Sequence, residues 1–277
     1  MKIFISDLDG TLIPETFAAS KEALECINEV IESGNEMVIA TGRTRNGIKL
    51  SGIDKPIYKI VMNGALIIDK KGNIIFQNTI DESIVEKLYN KFKLANIEFV
   101  TAEKSYFTIS KEKYLDEYSK WDVWSRKTEK KGALEGLLAN YVFDSKLEDF
   151  KDKVLKINIL ELNEEKRKQN IKYVNSVKEL INTPFDYRVL ELNNRSISKY
   201  SAISYLQKLE GWKDGEMYAF GDGENDCEML KNIKNSYAPS NASLKAKKSA
   251  KYIIGPCEDN SVVKTIKSLI DTEKAVF

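Results

Sequence analysis

The chain has 277 residues, with 43 Lys and Arg against 42 Asp and Glu, three cysteines and no histidine. That length buries a full core in one large domain or two smaller ones, and the balanced charge excludes a general attraction to nucleic acid or an anionic membrane. The scattered cysteines argue against a disulfide framework or thiolate zinc site, and the missing histidine removes every Ser-His or Cys-His nucleophile and leaves catalysis to carboxylates, Lys and Arg.

KIFIS, near the N-terminus, reads as a strand buried on both faces. Ala23, Leu24, Ile27, Val30 and Ile31 then recur at helical spacing between an N-cap at Ser20 and a stop at Gly34. EMVIAT (36–41) and IYKIVM (57–62) are again short apolar runs, so this part alternates strand and helix as a parallel α/β sheet does. After Asn63, ALIIDKKGNIIFQN predicts a hairpin around Gly72.

From Asp81 to Glu191 the pattern predicts a helix carrying Ile84, Val85, Leu88 and Phe92, strands at IEFVT, YFTIS, VLKINILE and DYRVLELN, and a charged helix over 164–181. This is an α+β insert. The parallel rhythm returns with a helix over 198–210, strand EMYAFGD (216–222), a helix over 224–232, strand SYAP, a helix near 243–249, strand KYIIG and a last helix near 259–272. The expected architecture is an α/β domain formed by residues 1–80 and 190–277, with an inserted domain over 81–189.

In open α/β sheets, ligands bind beyond the carboxyl ends of the strands. Those ends read SDLDGT, ATGR, VMNGA and FGDGEND, which brings Asp7, Asp9, Thr41, Asn63, Asp222 and Asp226 to one rim. Clustered carboxylates repel one another unless a cation neutralises them, which implies a hard, oxygen-ligated ion, Mg²⁺. Such an ion keeps positions open for water and phosphate oxygens. Thr41 offers a hydroxyl and nearby N–H groups, and Lys199, at a predicted helix start, offers an ammonium. Acid, metal, hydroxyl and lysine together suit phosphoryl transfer.

DLDGT (7–11), ATGR (40–43), the lysine in SISKYSAISYL (196–206) and GDGENDCEML (221–230) resemble, in this order, the four motifs of the haloacid dehalogenase superfamily. MNGA (62–65), the insert ahead of the lysine motif and NASLKAKKSAKYI (241–253) resemble its Cof-type branch, subfamily IIB, with a C2B cap. EDNSVV (258–263) departs from the Asp-Gly-Val turn of that branch. The resemblance implies a Rossmann-like parallel-sheet core with an α+β cap as the substrate-specificity domain. It makes Asp7 the nucleophile that forms an aspartyl phosphate, and Asp9 the acid that protonates the leaving group and then deprotonates the hydrolytic water. It further implies Mg²⁺ held by Asp7, the Asp9 carbonyl and Asp222, supported by Asn225 and Asp226. The phosphoryl group would be held by Thr41, Gly42 and Lys199, with Asn63 as a phosphate or substrate contact. Arg43 is a candidate substrate contact.

The implied activity is Mg²⁺-dependent hydrolysis of a sugar phosphate or similar small phosphorylated metabolite. The expected setting is the cytoplasm, since MKIFISD shows no signal-peptide cleavage pattern. A monomer or weak homodimer is expected, with no nucleic-acid or membrane partner. A phosphosugar mutase or a non-catalytic phosphometabolite sensor on the same fold is the alternative. Cys227 reads as a packed residue, and the lysine runs KRKQNIK and KAKKSAK as solvated helix faces. Tyr106, Phe107, Tyr114, Tyr118, Trp121 and Trp124 read as core or as the lining of a substrate slot.

Overall fold

The computed structural model describes residues 1–14, 18–122, 132–184 and 186–274. The chain divides into two units, one of Met1–Gly42, Ser51–Phe76 and Ser198–Phe277, the other of Arg43–Leu50 and Gln77–Ile197. No helix among the described residues is long and apolar enough to cross a membrane.

An eight-stranded sheet organises the first unit. Ile3–Ser6 lies inside it, paired in parallel with Glu36–Ala40 on one side and Met217–Phe220 on the other. Tyr58–Val61 continues the parallel order beyond Glu36–Ala40, and Asn235–Pro239 and Tyr252–Ile254 continue it on the other flank. Ile3, Phe4 and Ile5 are wholly buried, which is why this segment is an uninterrupted apolar run rather than an alternating one. The hairpin around Gly72 forms from Leu66–Ile68 and Ile74–Gln77, with Gly72 at φ +87°, and extends the same sheet by antiparallel pairing.

Helix Lys21–Glu32 begins where Ser20 accepts a hydrogen bond from the Ala23 amide at 3.1 Å, and it buries Ala23, Cys26, Ile27 and Val30. On the core side, Ala202, Ile203 and Leu206 of helix Lys199–Glu210 pack with Met229, Leu230 and Ala246 against Ile5, Val38 and Ile60 of the strands. Each fully buried aliphatic side chain here contributes about 1.5–3 kcal/mol. With the strands held parallel by these helices, their carboxyl ends open on one rim.

The second unit has a six-stranded sheet in the order Leu180–Asn182, Val189–Asn194, Lys156–Leu160, Asn96–Val100, Ser105–Phe107, Tyr141–Val142. Val85, Leu88 and Phe92 of helix Glu82–Phe92 and Val174 of helix Glu164–Asn175 pack with Ile97, Phe99, Ile157 and Leu190. Residues 190–197, placed by the sequence with the first domain, belong here because Val189–Asn194 is a strand of this sheet. Arg43–Leu50 also groups with this unit, and a Cβ on Gly136 would meet Leu50 Cδ2 at 2.8 Å.

The charged helix predicted to reach residue 181 stops at Asn175, and Leu180–Asn182 instead forms an edge strand against Val189–Asn194. Tyr114, Tyr118 and Trp121 are buried with Phe107, and the Phe107 and Tyr114 ring centroids lie 4.8 Å apart. Tyr106 packs against Phe150 at 5.4 Å. Phe107, Tyr114, Tyr118 and Trp121 are core and Tyr106 is partly buried against it, whereas Trp124 lies outside the described residues.

Candidate active site

Strand Ile3–Ser6 delivers Asp7 at its carboxyl end, where the Asp7 amide donates to Phe220 O at 2.9 Å and the residue is 6% exposed. The chain then doubles back, with Ile13 N donating to Leu8 O at 2.9 Å and Gly10 N to Ile13 O at 2.8 Å. Glycine is required at 10, because φ is +76° and a Cβ there would lie 2.7 Å from Asp222 Oδ2. Asp9 sits half-buried on this turn.

The neighbouring strand, Met217–Phe220, leads into the loop that carries Asp222 and Asp226. A Cβ on Gly221 would lie 2.6 Å from Asp226 Cβ, so the loop closes tightly on itself. Asp226 Oδ2 accepts hydrogen bonds from the Asp222 amide at 3.0 Å and the Gly223 amide at 2.9 Å. As a result Asp7, Asp222 and Asp226 each place a carboxylate oxygen within 4.8 Å of the others.

Lys199 enters this group from the first position of helix Lys199–Glu210. Ser198 caps that helix by accepting from the Ser201 amide at 3.0 Å, and its own amide donates to Ser201 Oγ at 2.9 Å. The Lys199 ammonium donates to Asp7 Oδ1 and to Asp226 Oδ1, each at 2.6 Å. Its side chain is 1% exposed.

Burial pushes the Asp7 carboxyl well above the usual carboxylate range; Lys199 opposes this without reversing it, while Asp226 and Asp222 add to it. Asp222 is pushed up to about 6, chiefly by burial, against the hydrogen bond that Thr11 Oγ1 donates to its Oδ1 at 2.5 Å. Burial alone would favour neutral Lys199, but Asp226 and Asp7 hold it charged and raise its pKa above the ordinary lysine value. Three carboxylates around one ammonium leave negative charge uncompensated. That donor set, carboxylate oxygen throughout, fits a hard divalent cation, so the group could hold a metal ion.

Thr41 follows strand Glu36–Ala40, with its amide bonded to Ile60 O at 2.9 Å and its carbonyl accepting from Asn63 N at 3.1 Å. Met62 and Asn63 are buried and left-handed, at φ +52° and +57°. Each such position costs on the order of 1–3 kcal/mol and persists only where the surroundings over-determine it. Here Asn63 Oδ1 accepts from Asn225 Nδ2 at 3.0 Å, so two residues predicted separately form a pair. Gly42 is the bend after Thr41. Arg43 belongs to the second unit, where its Nη1 donates to Gly47 O at 3.2 Å. Cys227 is half-buried, with its thiol 3.8 Å from Gly223 O.

The sequence reading assigned no role to Thr11, although it lies inside DLDGT, nor to Asn241, although it opens NASLKAKK. Both make side-chain hydrogen bonds at the turn bearing Asp9 or at Asp222.

A family profile described as haloacid dehalogenase-like hydrolase matches residues 4–266. Among relatives, a 5-amino-6-(5-phospho-D-ribitylamino)uracil phosphatase of Bacillus subtilis strain 168 is 24% identical, over 99% of this chain and 100% of its own length. A second B. subtilis protein of that name is 25% identical over 96% of this chain and 95% of its own. Among solved structures, a haloacid dehalogenase-like hydrolase from B. subtilis matches with a TM-score of 0.81 at 23% identity, covering 96% of this chain and 99% of that one. A subclass IIB sugar phosphatase matches with a TM-score of 0.73 at 20% identity, covering 97% and 99%. Likeness to the solved structures establishes the fold.

Proposed function

Since this chain belongs to the haloacid dehalogenase-like hydrolases, we propose that it is a Mg²⁺-dependent phosphatase of small phosphomonoesters that works through a phosphorylated Asp7. The observation that carries this reading is the cluster of Asp7, Asp222 and Asp226, with Asp7 and Asp226 buried and paired with Lys199. The names of the B. subtilis relatives support a phosphorylated small metabolite, such as a polyol or sugar phosphate, as substrate.

In the first step a carboxylate oxygen of Asp7 attacks phosphorus as the bond to the leaving oxygen breaks, and Asp9 gives that oxygen its proton. In the second, the Asp9 carboxylate takes a proton from the attacking water, phosphate departs and Asp7 is regenerated. Lys199 holds Asp7 in place and puts a fixed positive charge beside the site of transfer. Thr41, Gly42, Lys199 and Asn63, which accepts from Asn225, are assigned to holding phosphoryl oxygens. Asp7, Asp222 and Asp226, with the Asp9 carbonyl and Asn225, would hold Mg²⁺, which when bound neutralises the carboxylates and polarises phosphoryl oxygens. The second unit is assigned the substrate-specificity role, and Arg43 within it a substrate contact.

Phosphate release from sugar phosphates, polyol phosphates and nucleotides, with Mg²⁺ or with chelator, tests the reading. Release that needs both Mg²⁺ and Asp7 is expected. Silence across the panel from folded protein would overturn it, and transfer of phosphate to a second sugar instead of water would make the protein a mutase.

A further inference from the structure

The turn that carries Asp9 is fastened by side chains that take no part in the chemistry. Asn241 Nδ2 donates to Gly10 O at 2.9 Å, while its Oδ1 accepts from the Cys257 amide at 2.8 Å. The Cys257 thiol lies 3.1 Å from Thr11 O. The two successive carbonyls after Asp9 are therefore each tied, one through Asn241 and one directly, to the same turn at Cys257. The segment bearing Asn241 is itself anchored, because Ala242 N donates to Pro239 O at 2.9 Å and Ser243 N to Asp222 O at 2.9 Å. One exposed amide thus links the Asp9 turn to the Cys257 turn, from a segment fixed on the Asp222 loop.

The two catalytic aspartates depend on this link unequally. Asp7 has its own restraints, the hydrogen bond to Phe220 O and the Lys199 ion pair. Asp9 is mounted directly before Gly10, the residue with the most backbone freedom, held here at φ +76°. The turn is closed within itself by Gly10 N to Ile13 O and Ile13 N to Leu8 O, and the Asn241 bond to Gly10 O is a restraint brought from outside it, so its loss loosens the turn under Asp9 and leaves Asp7 where it is.

We propose that Asn241 is a positioning residue for proton transfer: by holding the Gly10 carbonyl it fixes the direction in which Asp9 presents its proton to the leaving group. This rests on the role given to Asp9 above. Loss of Asn241 then weakens protonation of the leaving group and spares attack by Asp7. An alkoxide leaving group needs that proton and p-nitrophenolate does not, so the effect must depend on the leaving group.

The experiment compares kcat/KM for glycerol phosphate and for p-nitrophenyl phosphate, with Mg²⁺, in wild type, Asn241→Ala and Asn241→Asp. The aspartate keeps an acceptor for the Cys257 amide but loses the donor to Gly10. Both variants should lose about 10–100-fold on glycerol phosphate and less than about threefold on p-nitrophenyl phosphate. In an Asp9→Asn background Asn241→Ala should cost nothing further on glycerol phosphate. Because Asn241 is exposed, its truncation opens no core cavity, and the variants should melt no more than about 5 °C below wild type for the hydrogen bonds lost. Equal losses on both esters, or no loss on either, would overturn the proposal. Wild-type protein that hydrolysed neither ester would instead overturn the proposed function, and the role of Asn241 with it.

Discussion

Each unit buries a lysine 2.6 Å from a carboxylate, and the two lysines sit in unlike company. Lys156 reaches Glu191 on the adjacent strand, with the two side chains 5% and 3% exposed, while Asn158 beside them donates to Glu98 at 2.8 Å. Lys199 is shared between Asp7 and Asp226, and Asp222 completes the only group of three potential metal ligands among the described residues. Both lysines satisfy the rule that a buried charge needs a partner. What separates a ligand site from a buried brace is surplus charge, and here the neighbouring carboxylates add to the rise that burial gives the pKa values of Asp7 and Asp222.

Substitutions can break this contrast. The largest effect is expected from Asp7→Asn, which should lower turnover by at least about a thousandfold while the melting transition stays in place. Near-normal turnover in a phosphate-release assay would remove Asp7 from the mechanism. Lys156→Met leaves Glu191 buried without its ammonium and should reduce unfolding free energy by about 3–5 kcal/mol with kcat unchanged. Denaturant melts and kinetics on the folded fraction check both halves; an intact melt with a depressed kcat would give Lys156 the role assigned to Lys199.

Solution pH sharpens the same comparison. In the metal-free fold Asp222 keeps its proton up to about pH 6, whereas unfolded aspartate releases it near its ordinary pKa of 3.8. The folded state therefore binds more protons between these values, and this group's contribution is lost as pH rises from about 4 to 6, on the order of 2–3 kcal/mol. If Mg²⁺ binds at Asp222 as proposed it displaces that proton, so its thermal stabilisation should be larger at about pH 7.5 than at about pH 5. A shift that ignores pH would place the ion elsewhere. The smallest effect is set by neutral chemistry: Ser20→Ala removes the bond to the Ala23 amide and should cost about 1 kcal/mol in a denaturant melt, with activity untouched.

Legibility in the sequence followed the same division. The parallel strands of the first unit were readable because burial on both faces demands continuous apolar runs, and strands read that way have carboxyl ends that can be compared. Asp7, Asp222, Asp226 and Lys199 could be nominated because nothing in a core calls for them. The edge strand Leu180–Asn182 was lost inside a helical prediction, since three residues carry too little periodicity to separate it from the charged helix before it. Arg45–Leu50 and Ala133–Leu138 escaped for the same reason. EDNSVV departs from the Asp-Gly-Val turn in residue type and keeps a left-handed position, since Asn260 adopts φ +54°. The bond between Asn63 and Asn225, and the reach of Asn241 to Gly10, join residues far apart in the chain and leave no local mark.

The seat of Asp7 has a further consequence. Strand Ile3–Ser6 has hydrogen-bonded neighbours on both sides and no exposure on either face at Ile3, Phe4 and Ile5. Its amide protons, and the Asp7 amide bonded to Phe220 O, should exchange with solvent deuterium only through whole-domain opening rather than fraying. Partial unfolding at the sheet edges, at Tyr252–Ile254 or Ile74–Gln77, would leave Asp7 on intact backbone. The position of Asp7 and the cooperativity of this domain should therefore be lost in a single event.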